Sequence, residues 1–219
     1  MHYHELTVTT YLMSDIHFTK ANEIIGQTIN RAMYLDEELR KKHVQKGYKH
    51  YCYGSFYPTE KDKVYKKGRI YVFKLRSLDE NFAGKMQSRL SEAKSETLKI
   101  LAVDRKRRPQ RHITELNVLT PVVITVDNKH WLPGDNFMLL QKRLKANLEK
   151  KYKSYYKQEL DNSIDFIRSI EILNKKVLSF KYKNTKLLGN KFKIGVSDDE
   201  NSQSLAFVAE ATGLGEKSS

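Results

Sequence analysis

The 219-residue sequence has a single cysteine, Cys52. That excludes an intrachain disulfide and a cysteine-built zinc site, and it fits a reducing cytosol. No stretch nears the roughly 18 consecutive apolar residues of a bilayer-spanning helix. The start, "MHYHELTVTTYL", has no positive region followed by a long apolar run, so it does not read as a signal peptide. A cytoplasmic protein with no membrane span is expected. Metal ligands are also scarce. His2 and His4 could share a strand face, but two ligands do not make a site. His17, His50, His112 and His130 show no ligand spacing. "SDDE", residues 197–200, is a tight acidic cluster and reads as a solvated loop. No metal and no cofactor are therefore expected.

Acid is in short supply overall. Forty lysines and arginines face 26 aspartates and glutamates, for a net charge of +14, and aromatics (11%) are interleaved with the basic residues. A protein this basic ordinarily meets a polyanion. Nucleic acid is the first candidate and an anionic membrane surface the second.

"ELTVTTYL" alternates, with Leu6, Val8, Thr10 and Leu12 on one side and Glu5, Thr7, Thr9 and Tyr11 on the other, which predicts a half-buried strand. "DIHFTK" reads as a loop. "ANEIIGQTINRAM" has helical period, with Ile25, Ile29, Ala32 and Met33 in a stripe. Gly26 inside that helix predicts close packing against a neighbour. A short helix over about 36–43 stops before Gly47. "HYCYGSFYP" and "RIYVFKL" read as strands, "ENFAGKMQSRLSEAKS" as a helix with Phe82, Met86 and Leu90 spaced by four, and "LKILAV" as a strand. Strand, helix, strand, strand, helix, strand is the ferredoxin-like order. "DRKRRPQR", 104–111, reads as the connection between halves. "ITELNVLTPVVITV" then reads as strand with a bend at Thr120-Pro121. The longest helix follows, with Phe137, Leu140, Leu144, Leu148 and Tyr155 along one side. Short strands come next, then a helix over "SQSLAFVAEAT". The fold class predicted is α+β: two tandem ferredoxin-like (RRM-like) domains, 1–110 and 111–219, the second lacking its usual final strand.

Within "KKHVQKGYKHY", His43 is followed by Lys46 and Lys49. An imidazole titrates near neutrality and can move protons. An ammonium can stabilise the added charge of a pentacoordinate phosphorus. The same spacing also suits a helix-end histidine favourable to the helix dipole. The tail "GLGEKSS" allows close backbone approach at Gly213 and Gly215, where consecutive amides could cradle a phosphate, but it is not a Walker loop. Arg105, Arg107, Arg108 and Arg111 could grip phosphates with forked guanidiniums, or form a solvated linker. "GRIYVFKL" puts Tyr71 and Phe73 on one face, which is expected to pack against the helices.

In combination these segments resemble one family. "GLGEKSS" after "LAFVAEAT" resembles the glycine-rich motif of the CRISPR-associated repeat-cleaving endoribonucleases, the sixth Cas protein of the RAMP superfamily. "EIIGQTINRAM…H…KGYKHY…YP" resembles that family's first helix and active-site region, and "ELNVLTPVVITV" is similar to its inter-domain strand. The likeness covers essentially the whole chain. It implies metal-independent cleavage of precursor CRISPR RNA within each repeat, giving 5′-hydroxyl and 2′,3′-cyclic phosphate ends. It also implies delivery of the mature guide to an interference complex. The family's active-site histidine falls on His43, and its lysine on Lys49 with Lys46 as competitor. Gly213, Gly215 and Lys217, with Arg105, Arg107 and Arg108 as a looser group, would hold RNA. A non-catalytic repeat-binding protein is the alternative, and monomer and homodimer both stay open. There are two departures. Aligning on Gly26 puts Ile29 where some members carry a helix tyrosine, with Tyr34 near but out of register. The family's glycine-rich loop also continues into a final strand bearing "GFG", whereas this sequence ends first.

Overall fold

The alternation of the first dozen residues becomes β1 (His2–Leu12) in the computed structural model, which describes the chain apart from residues 127–128, 161–164, 183–184 and 216–219. Two units emerge, Met1–Pro109 and Gln110–Ser219. In the first unit β1 is followed by β2 (Ile16–His17), α1 (Phe18–Tyr34), α2 (Glu37–Val44), β3 (Tyr51–Tyr53), β4 (Val64–Tyr65), β5 (Ile70–Ser77), α3 (Glu80–Glu92) and β6 (Leu98–Pro109). The main sheet is antiparallel in the order β3-β5-β1-β6, which is ferredoxin-like. Leu6, Val8 and Leu12 of β1 and Tyr71, Phe73 and Leu75 of β5 meet the apolar stripes of α1 (Ile25, Ile29, Ala32, Met33) and α3 (Phe82, Met86, Leu90) in one core. Tyr71 and Phe73 are thus core residues. Gly26 lies where a β-carbon would stand 2.5 Å from the Tyr53 hydroxyl; the absent side chain admits the tyrosine.

The second unit contains β7 (Glu115–Asn117), β8 (Thr125–Val126), β9 (Lys129–His130), α4 (Phe137–Tyr156), β10 (Ile167–Ile172), β11 (Leu178–Tyr182), β12 (Thr185–Gly189), β13 (Phe192–Val196) and α5 (Glu200–Thr212). Its sheet, β10-β13-β7, repeats the order of the first sheet's β3-β5-β1. Among the described residues no fourth strand lies beside β7. The architecture is two ferredoxin-like units in tandem, with β11 and β12 added as a separate hairpin.

Several local expectations change. Residues 104–109 are not connecting chain: β6 runs to Pro109, paired with β1 as far as His2↔Pro109. The charge density that suggests a linker is tolerated because β6 is an edge strand whose side chains largely face water. The expected strand over 113–126 shrinks to β7 and the two residues of β8, because Pro121 has no N–H to give a ladder. "DIHFTK" forms β2 and the first turn of α1 rather than a loop. On α4, Phe137 is exposed, and the buried face includes Asn147, Lys151 and Tyr152.

Candidate functional site

α2 buries only Leu39 and is held mainly at its ends. The Asp36 carboxylate accepts the amides of Glu38 and Leu39 at 3.1 Å, an N-cap that satisfies two otherwise orphan donors. Glu37 and Glu38 fill the first turn and Lys41, Lys42 and His43 the last, each sign matched to its end of the helix dipole. Asp36 also accepts Lys85 of α3 at 3.2 Å. At the other end Lys42 pairs with Asp79, the N-cap of α3, and its ammonium lies 5.4 Å above the Phe82 ring. Burial works to raise the Asp79 carboxyl, but the Lys42 ammonium and the Phe82 amide outweigh it, and its pKa lies below the ordinary value. The C-terminal turn of α2 is therefore clamped to α3.

His43 is half-buried in that turn. Tyr34, the last residue of α1, stands edge-on to it, with ring centroids 5.5 Å apart at 61°. The chain reverses through Gly47, at φ +117°, and returns Lys49 to the same helix end. Its ammonium donates to the carbonyl of Lys42 at 2.6 Å and to that of Gln45. Burial, and then the Lys42 charge, lower the Lys49 pKa. A histidine and a lysine six residues apart are thus both placed at the last turn of α2. Lys46 is exposed in the reversal between them. Sequence reasoning set Tyr34 aside on register. Its only sequence signal is that the periodic segment ends there, because the contact arises from how α1 and α2 pack.

The arginines do not form one patch. Arg105 and Arg107 pair across the ladder with Leu6 and His4, whereas Arg108 pairs with Tyr3 on the opposite face. Arg108 donates to Glu5 at 2.7 Å, and Arg76 and Lys74 reach the same carboxylate at 3.0 and 3.2 Å. Arg107 donates to Nδ1 of His2 at 3.0 Å, and Arg105 lies over Gly84 of α3. Arg111 is exposed.

The glycine-rich segment is held by its carbonyls. Lys151, buried on α4, donates to Gly213 at 2.7 Å, Gly215 at 3.0 Å and Thr212 at 3.4 Å. Asn147 donates to Leu214 at 2.9 Å. Gly213 has φ +78°, which favours a residue without a β-carbon. Its amide donates to Ala209 and closes the last turn of α5, so the expected cradle of consecutive amides lacks that donor. Lys217 lies outside the described residues. Sequence reasoning missed Lys151 and Asn147; the available signal was two polar residues, four apart, on an otherwise apolar helix face. Within "SDDE", Asp199 caps α5 through the amide of Ser202, and Asp198 stands 3.4 Å from His112.

His2 and His4 do share a strand face, and the fold adds a carboxylate: Glu80 at the start of α3 is 4.0 Å from Nε2 of His4.

The family described as "CRISPR associated protein Cas6, C-terminal" matches residues 104–219, more than half of the chain. No curated protein matches the sequence. Among solved structures the chain is similar to a RAMP protein described as binding different RNA substrates, with 17% identity over 98% of this chain and 95% of that one and a TM-score of 0.73. It is also similar to the product of a Cas6-related gene from Pyrococcus furiosus (16%, 99% and 94%, 0.69). A Cas6 product complex is likewise similar (12%, 99% and 96%, 0.61). No helix among the described residues is long and apolar enough to cross a membrane.

Proposed function

This chain belongs to the Cas6 family of CRISPR-associated proteins, and from that premise we propose that it is a metal-independent endoribonuclease cutting precursor CRISPR RNA within its repeats. The ends left would be a 5′-hydroxyl and a 2′,3′-cyclic phosphate. The observation that carries this reading is the placement of His43 and Lys49 at one helix end, with Tyr34 against the imidazole. RNA supplies its own nucleophile, the 2′-hydroxyl. Attack then needs a base for that proton, an acid for the departing O5′ and a cation for the charge on phosphorus. His43 serves as base or acid. Lys49 carries three N–H donors and gives two to helix carbonyls, which leaves one for a phosphorane oxygen. The remaining demand is in-line placement of O2′, phosphorus and O5′, which binding along the RNA provides.

The domain carrying the histidine is 1–110, and that carrying the glycine-rich loop is 111–219. Lys46 is the competitor of Lys49 for the cationic role, and Arg105, Arg107, Gly213, Gly215 and Lys217 are assigned to holding RNA backbone. Arg108 fits that role less well, because Glu5 takes its guanidinium. The RNA named for the similar RAMP protein and the similar product complex support RNA as the substrate class. The partner downstream is an interference complex that receives the cut guide. A second reading, a repeat-binding protein that does not cut, is favoured by the engagement of Lys49 with two carbonyls.

Repeat RNA incubated in EDTA decides between them, with a 2′-deoxy substitution at the cut nucleotide as control. Cleavage of the ribose strand alone is expected. His43→Ala should slow it by about 100-fold or more while RNA binding is kept. Binding by the wild-type chain without cutting selects the second reading. Unchanged cutting by His43→Ala removes the histidine from the mechanism.

A further inference from the structure

We propose that His2, His4 and Glu80 form a binding site for a divalent transition-metal ion of the zinc class, one that ties the start of β1 to the first turn of α3. The proposed nuclease chemistry does not use these three side chains.

His2 and His4 are two residues apart on one strand, so both rings leave the same face of the sheet. Their centroids lie 5.4 Å apart and the planes are nearly perpendicular, at 85°. One ligand atom from each of His2, His4 and Glu80 falls within 4.8 Å of the other two. Ligands of a tetrahedral zinc, bonded at about 2.0–2.1 Å, stand roughly 3.3 Å apart. Glu80, whose side chain is 70% exposed, has room to rotate its carboxylate toward the imidazoles, and binding would draw the two rings together.

His4 gives the independent observation. It is only 3% exposed, and neither of its ring nitrogens has a hydrogen-bond partner. Buried polar atoms are ordinarily satisfied, and an orphan imidazole beside a second imidazole and a carboxylate has a ligand's surroundings. Two imidazoles and one carboxylate favour zinc-class ions over magnesium or calcium, which prefer all-oxygen sites.

Two cations oppose the ion. Arg105 and Arg107 both act on His4, and Arg107 donates to Nδ1 of His2 at 3.0 Å. If His2 ligates through Nδ1, the guanidinium blocks it directly. If it ligates through Nε2, Nδ1 must carry the proton and cannot accept from Arg107. Either way Arg107 competes with the metal. A glutamine there removes the charge and offers an oxygen that can accept the Nδ1 proton, the usual outer partner of a zinc-bound histidine.

The test is calorimetric titration of the chelator-treated full chain with zinc chloride, with cobalt absorption to read coordination and magnesium chloride as a control. One zinc per chain is expected, with no magnesium heat. Glu80→Gln, on an exposed side chain, should weaken binding at least tenfold, and His2→Gln likewise. Arg107→Gln should tighten it severalfold. Absence of zinc binding, or binding equal in wild type, Glu80→Gln and His2→Gln, overturns the proposal. A folding failure of His4→Gln does not affect this outcome, because the other two variants decide. RNA cleavage in EDTA is a separate readout, so loss of one result leaves the other standing.

Discussion

Tyr34 presents its ring edge to His43, and that contact restrains the imidazole from the side of α1. Tyr34→Phe keeps the ring and should keep most of the cleavage rate. Tyr34→Ala removes it and should reduce kcat by about tenfold with little change in RNA affinity, as single-turnover kinetics would show. A second residue has its effect on stability. Glu5 is 2% exposed and accepts three cationic partners. Burial pushes its carboxyl up, but Arg108, Arg76 and Lys74 push it further down, below the ordinary value of 4.5. Folding therefore favours the charged form. The stability it contributes is fully present above pH 4.5 and is lost as pH falls through the lower folded value. Glu5→Gln should cost about 2 kcal/mol at neutral pH in urea unfolding. That is less than removing one partner of a fully buried pair, because the three cations are partly exposed. The variant should also show a flatter loss of stability in acid. His43 and Lys49 are legible in the sequence because their chemistry is local. Tyr34 and the partners of Glu5 are not, since 9 to 103 residues separate the groups that touch.

At the scale of elements, α1 and β3 meet at Gly26. The gain in helix propensity from Gly26→Ala is about 1 kcal/mol, but its new methyl would meet the Tyr53 hydroxyl at 2.5 Å. Net destabilisation of about 1–2 kcal/mol is expected. Tyr53→Phe removes the oxygen, so Gly26→Ala in that background should be neutral or stabilising; denaturant unfolding of the four proteins in the cycle measures the coupling. The helix stripes were readable because burial repeats with the 3.6-residue period. The fate of 104–109 was not, because an exposed edge strand and a solvated linker share one composition and only pairing with β1 separates them. α4 hides a similar ambiguity. Lys151 reads as a solvent-facing charge until the carbonyls of Gly213 and Gly215 are found on it.

For the molecule as a whole, the net charge of +14 predicts how binding responds to salt. A repeat RNA held by its phosphates should lose affinity log-linearly with salt. A slope steeper than about −2 corresponds to roughly three or more phosphate contacts at 0.7 each, and fluorescence anisotropy at several salt concentrations reads it. A flat response would count against backbone binding. Composition, periodicity and the element order determined that this is a basic α+β protein built as two successive ferredoxin-like units, since burial pattern and net charge are sums over neighbouring residues. The tertiary structure alone decided which side chains meet: Tyr34 with His43, Lys151 with the glycine-rich carbonyls, Glu80 with the two histidines of β1. Those contacts join residues far apart in the chain, and no local period encodes them; packing of helices on a sheet brings them within reach.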